Sequence, residues 1–115
     1  MSTPFLGLLE MLARQRGVHG SIIVSERDGI VVDSHVQIGV RTTTVAALAG
    51  SIYRKARQSA DAAGLGAVTY LELVATTGRL CMAGRDDLVI VVITDARATV
   101  GLLRTAILRA AERLT

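Results

Sequence analysis

Residues 88 to 93 read Leu-Val-Ile-Val-Val-Ile, six apolar side chains in succession with no polar alternation. A strand with one face in water alternates apolar and polar residues, so an unbroken run demands cover on both faces. The shorter runs Ile22-Ile23-Val24 and Ile30-Val31-Val32 make the same demand. The sheet of this chain is therefore expected to be a middle layer.

The segments between these runs supply the turns and the covering helices. Asp28-Gly29 separates the two short runs, and Asp-Gly is favoured where a two-residue turn needs positive φ at both central positions, which predicts a hairpin. The nearby carboxylates Glu26, Asp28 and Asp33 lack the alternating oxygens and distal glutamate of a calcium loop, so no metal is expected there. Upstream, Thr3 as cap and Pro4 at the first helical position predict a helix with Phe5, Leu8, Leu9 and Leu12 on one face, ended by Gly17. Arg41 to Ala63 predicts a long helix, opened by Thr42 to Thr44, with Val45, Leu48, Ala49, Ile52, Ala56 and Ala63 as its apolar face and Gly64 as its stop. Beside that face runs a strip of small residues, Ala46, Ala47, Gly50 and Ser51, which invites close approach by another helix. From Ala67 the pattern predicts an antiparallel meander of three strands. Its last strand, Leu88 to Ile93, belongs in the centre, while Val68 to Val74, with Thr69 and Glu72, reads as an edge. Thr94-Asp95 is a capping position for a final helix from Ala98 to about Leu114, burying Val100, Leu103, Ile107, Ala110 and Leu114.

A chain of 115 residues is expected to form one domain, spanning 3–115, and its 50% hydrophobic content exceeds what a self-sufficient monomer needs. Part of that excess is expected to face a partner. Cys81 stands alone, the N-terminus carries Glu10 and Arg14 within its apolar part, and no apolar run approaches the roughly 20 residues of a membrane span. These features read as a cytoplasmic protein that does not insert into a membrane. A net charge of +3 with aromatics at 3% leaves little for stacking nucleic-acid bases, so nucleic acid is not expected as a partner.

No catalytic constellation emerges. The segment Gly64-Leu65-Gly66 follows a helix and precedes a strand, the reverse of a phosphate-binding loop, and it has no lysine. His19 and His35 lack a third zinc ligand, and Cys81 alternates as a half-buried small residue. No serine lies in a nucleophile elbow. No cofactor, metal or catalytic residue is expected.

Three stretches in order resemble the roadblock (dynein light chain seven) family of bacterial, gliding-motility type. "RGVHGSIIVSERDGIVVDS" is similar to its first hairpin, with Gly17-Val18-His19-Gly20 leading into an apolar strand. "GRDDLVIVVITDARATVG" resembles its last strand and connection, and "VGLLRTAILRAAERL" its final helix. The resemblance implies an α+β sandwich of three layers, a five-stranded antiparallel sheet with one long helix on one face and two terminal helices on the other. It also implies a homodimer through the second helix and third strand, assigned here to Ala46, Ala47, Gly50 and Tyr53 on the helix and Val68, Tyr70, Glu72 and Val74 on the strand. It further implies a small Ras-like GTPase as partner, bound by Arg41, Thr44, Ser51, Arg54, Lys55 and Gln58, with Arg27 and Asp28 adding contacts. Other signalling proteins of the same gene cluster are expected as further partners. Two readings stand: a regulator that binds the GTPase and stimulates hydrolysis by positioning the GTPase's own residues, and a non-catalytic dimeric scaffold for a signalling or motility complex. A ligand-sensing domain with a pocket under the second helix is a third.

Overall fold

The computed structural model describes residues 4–114. Strands β1 (Val18–Ser25) and β2 (Ile30–Val36) form the first hairpin, and β3 (Leu71–Val74), β4 (Gly78–Arg85) and β5 (Leu88–Asp95) form the meander. All five pair antiparallel in the order β2-β1-β5-β4-β3. The unbroken apolar run thus lies at the centre, between β1 and β4, and β3 lies at a margin, as their compositions require.

Alternation sends successive side chains of each strand to opposite sides. Val89 and Val91 join Ile22, Val24 and Met82 beneath the long helix α2 (Thr42–Ala62). Ile90, Val92 and Ile23 join Leu9, Leu12, Leu103 and Ile107 beneath α1 (Leu6–Ala13) and α3 (Val100–Ala111). The fold is therefore α+β, with a covered sheet as its middle layer. Ser21 is the polar residue at the centre of the α1 side, and its hydroxyl offsets the cost of burial by donating to Leu9 O at 2.9 Å.

Several local expectations change. Thr3, the expected cap of the first helix, lies outside the described residues, and α1 begins at Leu6 with no side-chain cap at Phe5. The first hairpin does not turn on two residues: Ser25 pairs with Ile30, so Glu26 to Gly29 form a four-residue loop closed by Gly29 N–H to Ser25 O at 2.8 Å. Only Gly29 of this loop takes positive φ, at 64°. The two-residue turn occurs instead between β4 and β5, where Arg85 pairs with Leu88 and Asp86 takes φ 56°. Strand β3 is shorter than the expected Val68 to Val74. Asp95 does not cap α3, whose cap position is Thr99; its carboxylate turns back onto the Arg97 N–H at 2.8 Å and its guanidinium.

The largest correction concerns α2. Ala46, Ala49, Gly50 and Tyr53 are the residues buried against the sheet; Val45 and Ile52 pack half-buried at the edge of that core, and Leu48 lies outside it. Small side chains let the helix settle close: a methyl at Gly50 would already lie 3.6 Å from Val24 Cγ1 and 3.5 Å from Gly29 Cα. The Tyr53 ring lies over Gly84, where a methyl would stand 3.0 Å from it, and its hydroxyl donates to Val68 O at 3.2 Å. Close approach rolls the aliphatic stripe to the helix flank, where Leu48 is 60% exposed.

Candidate functional site

The surface of interest is built from the outer side of α2, the loop between β1 and β2, and the margin at β3. One helical turn advances 100° per residue, so Thr44, Ser51, Lys55 and Gln58 fall opposite the buried Ala46 and Tyr53. Arg41, Thr44, Lys55 and Gln58 are exposed, and Ser51 and Arg54 are partly so. All six residues assigned to a partner protein therefore share the solvent side of this helix.

The assigned self-contact residues divide differently. Ala46, Gly50 and Tyr53 are buried against their own sheet and have no surface to offer a second helix, which corrects the small-residue strip on the side where close packing already uses it. Ala47 remains exposed beside the hairpin loop. On the strand side Val74 is 64% exposed, and Val68, Tyr70 and Glu72 are half-buried. Glu72 pairs with Arg79 across β3 and β4 at 3.3 Å. The Tyr70 ring carries the Arg104 guanidinium 5.0 Å from its centroid, and burial, together with Cys81 alongside, pushes its phenol above the ordinary range.

Several exposed residues around this surface are aliphatic. Leu48 on the α2 flank, expected in the core, is exposed, whereas Val45 and Ile52 beside it are half-buried against that core. Leu73 and Val74 on β3 and Leu65 before it are also exposed. Strand β3 pairs only with β4, so its other margin presents free backbone groups.

A charged clamp fixes the loop beside α2. Glu26 is 5% exposed, and Arg57 of α2 binds its carboxylate through Nε, at 3.0 and 3.3 Å to Oε1 and Oε2, and through a terminal guanidinium nitrogen. This partner is what makes a buried carboxylate tolerable, and it holds Arg57 more firmly protonated than usual. Asp87, in the β4–β5 turn, accepts from Ser25 Oγ at 2.7 Å and from the Arg27 N–H at 2.9 Å, while its carbonyl accepts from the Glu26 N–H at 2.8 Å. Those donors, Ser25 first, hold its carboxyl below the usual range. Arg27 and Asp28 are thereby presented at the loop tip, both exposed. Of the three arginines near this surface on α2, Arg57 is committed to the clamp, leaving Arg41 and Arg54.

Among the described residues no group of three or more His, Cys, Asp or Glu is arranged to hold a metal. His19 Nε2 instead meets Asp95 Oδ2 at 2.7 Å, and His35 is exposed. Cys81 is 1% exposed, and burial raises its thiol above the ordinary range, away from thiolate chemistry. The space between α2 and the sheet, the place for a sensing pocket, is filled by Ala46, Ala49, Tyr53, Met82 and their neighbours. No helix among the described residues is long and apolar enough to cross a membrane.

An α+β chain with a helix-covered antiparallel sheet, bounded by β2 and β3, defines a structural class, and comparison with known proteins gives the family. Residues 5–94 match the Roadblock/LC7 domain, and the chain belongs to that family. An uncharacterized protein of Methanocaldococcus jannaschii, MJ1340, is 32% identical over 107 residues, covering 93% of this chain and 92% of its own. The fold is shared with MglB of Myxococcus xanthus, with a TM-score of 0.84 at 23% identity over 98% of this chain and 95% of that one. It is shared likewise with a Roadblock/LC7 domain from Streptomyces avermitilis, with a TM-score of 0.83 at 18% identity, covering 92% and 90%.

Proposed function

We propose that this chain is one half of a cytoplasmic homodimeric regulator of a small Ras-like GTPase. The observation that carries this reading is the pairing of an exposed aliphatic flank on α2 with the bare margin of β3, where Leu48, Leu73 and Val74 stand in water. A second copy offers both complements at once: strand against strand continues the sheet, and flank against flank removes the leucines from solvent. Ala47, Val68, Tyr70, Glu72 and Val74 remain contacts in this dimer, and Leu48 and Ile52 take the place of Ala46, Gly50 and Tyr53.

The GTPase docks on the outer side of the two α2 helices away from Leu48, through Ser51, Arg54 and Gln58 with Arg27 and Asp28, while Arg41, Thr44 and Lys55, beside Leu48 on the helix, border the self-contact. Family membership and the shared solvent exposure of these residues support the assignment. The regulator brings no nucleophile and no metal of its own. It acts by holding the switch residues of the GTPase in place, because phosphoryl transfer is accelerated mainly by positioning and charge stabilisation.

Light scattering on the purified chain tests the dimer: Leu48→Glu should convert it to a monomer with an unchanged circular dichroism spectrum, and a parent already monomeric at micromolar concentration rules the dimer out. GTP hydrolysis by a small GTPase encoded beside this chain tests regulation. A faster rate in its presence is expected. Binding with an unchanged rate leaves the scaffold reading.

A further inference from the structure

On the opposite face of the sheet from α2, the helices α1 and α3 leave a groove of about 200 Å³ between them. Its floor and walls are Leu8, Met11, Ala106 and Ala110, and its border is Arg109 and Arg113. Both arginines are exposed, and neither has an ion-pair or hydrogen-bonding side-chain partner among the described residues. Among the described residues no carboxylate lines the groove: Glu10 and Glu112 are not among its lining residues, and α3 itself contains no acidic residue. Leu102, 68% exposed, extends the same flank of α3, since positions 102, 106, 109 and 113 recur at three- and four-residue spacing. Within α3 the stripe from Leu102 to Arg109 is about 10 Å long, two turns of a helix, and Arg113 follows in the turn after it.

We propose that this groove is a docking site for an amphipathic helix of a partner protein, with Asp or Glu residues one turn apart on the edge that faces α3. A concave apolar channel between two helices accepts the ridge of a third, as in helix-in-groove recognition. The charge identifies its partner's edge: two unpaired guanidinium groups four residues apart match carboxylates at the same spacing on the incoming helix. An anionic membrane is the poorer fit, because Leu8, Ala106 and Ala110 are recessed between the helices, leaving Met11 and Leu102 as the exposed apolar residues, and a bilayer surface cannot follow the groove inward. The site lies on the far side of the sheet from the proposed self-contact, so a dimer carries two such grooves and joins two helices to one GTPase-binding face.

A fluorescein-labelled peptide of about 14 residues tests this, with a leucine stripe and two glutamates one turn apart on one edge, against a copy with lysines in their place. Anisotropy titration with the intact chain should show the glutamate peptide binding about tenfold more tightly than the lysine peptide. R109E/R113E should invert that preference, and Ala106→Trp should remove binding of both by filling the floor. Leu48→Glu should leave peptide binding intact, which separates this site from the dimer. Absence of binding, equal affinity for the two peptides, or indifference to R109E/R113E overturns the proposal. So does sedimentation of the chain with phosphatidylserine vesicles in an Arg109- and Arg113-dependent manner without peptide binding, which assigns the surface to lipid.

Discussion

Glu26 and Arg57 lie 31 positions apart in the chain and meet across the loop and the helix. Nothing in the local sequence announces this, because a Glu beside Arg27 and Asp28 reads as a solvated turn. The asymmetry of burial gives the pair a testable signature: Glu26 is enclosed, whereas Arg57 reaches it from a half-exposed position. Arg57→Ala strands a carboxylate, so it should lower the urea midpoint more than the double replacement Glu26→Gln with Arg57→Ala. Equal midpoints would show that the pair contributes nothing. Asp95 supplies a second signature. The Arg97 guanidinium first, then His19, then the Arg97 N–H bind its ionised form and hold its carboxyl well below the usual range. A depressed carboxylate stabilises the fold above its unfolded pKa of about 3.9, and that contribution is lost as pH falls through the folded value. Asp95→Asn should therefore lower the urea midpoint at pH 7, with the gap to the parent narrowing once pH drops below about 4. A gap that stays constant into strong acid would assign the effect to packing.

At the scale of elements, the strands were legible and the helix orientation was not. The run Leu88 to Ile93 carries its central place in its composition, and the polar Thr69 and Glu72 mark the marginal strand. Helix α2 has two adjacent apolar stripes, one aliphatic and one of small residues, and hydrophobicity alone favours the first. Distance of approach decides otherwise: Ala46, Ala49 and Gly50 bring the helix down onto the sheet and leave Leu48 outside. Ala46, Gly50 and Tyr53 face inward for the same reason, whereas Thr44, Ser51, Lys55 and Gln58 stay on the side away from the sheet. Backbone approach also governs β4, where a methyl at Gly78 would sit 2.0 Å from Thr94 O on β5. Gly78→Ala should cost about 2–3 kcal/mol, read as a lower urea midpoint. A change below about 0.5 kcal/mol would mean that the two strands separate freely there.

For the molecule as a whole, the decisive pairing joins distant parts of the chain. β1 lies against β5 from Val18 opposite Thr94 to Ser25 opposite Leu88, so the first strand is completed by the last. A fragment of residues 1–85 keeps the first hairpin and α2 but lacks the strand that fills the middle of the sheet. Its circular dichroism should lack the cooperative thermal transition of the full chain, and a cooperative melt would show that the N-terminal portion is self-supporting. This topology has a consequence for biosynthesis. During translation Ile22, Ile23 and Val24 leave the ribosome some seventy residues ahead of their partners Val91, Ile90 and Val89. The nascent sheet cannot close until β5 has been synthesised, so native assembly waits for that strand, and the sticky early hairpin must be kept from strangers meanwhile.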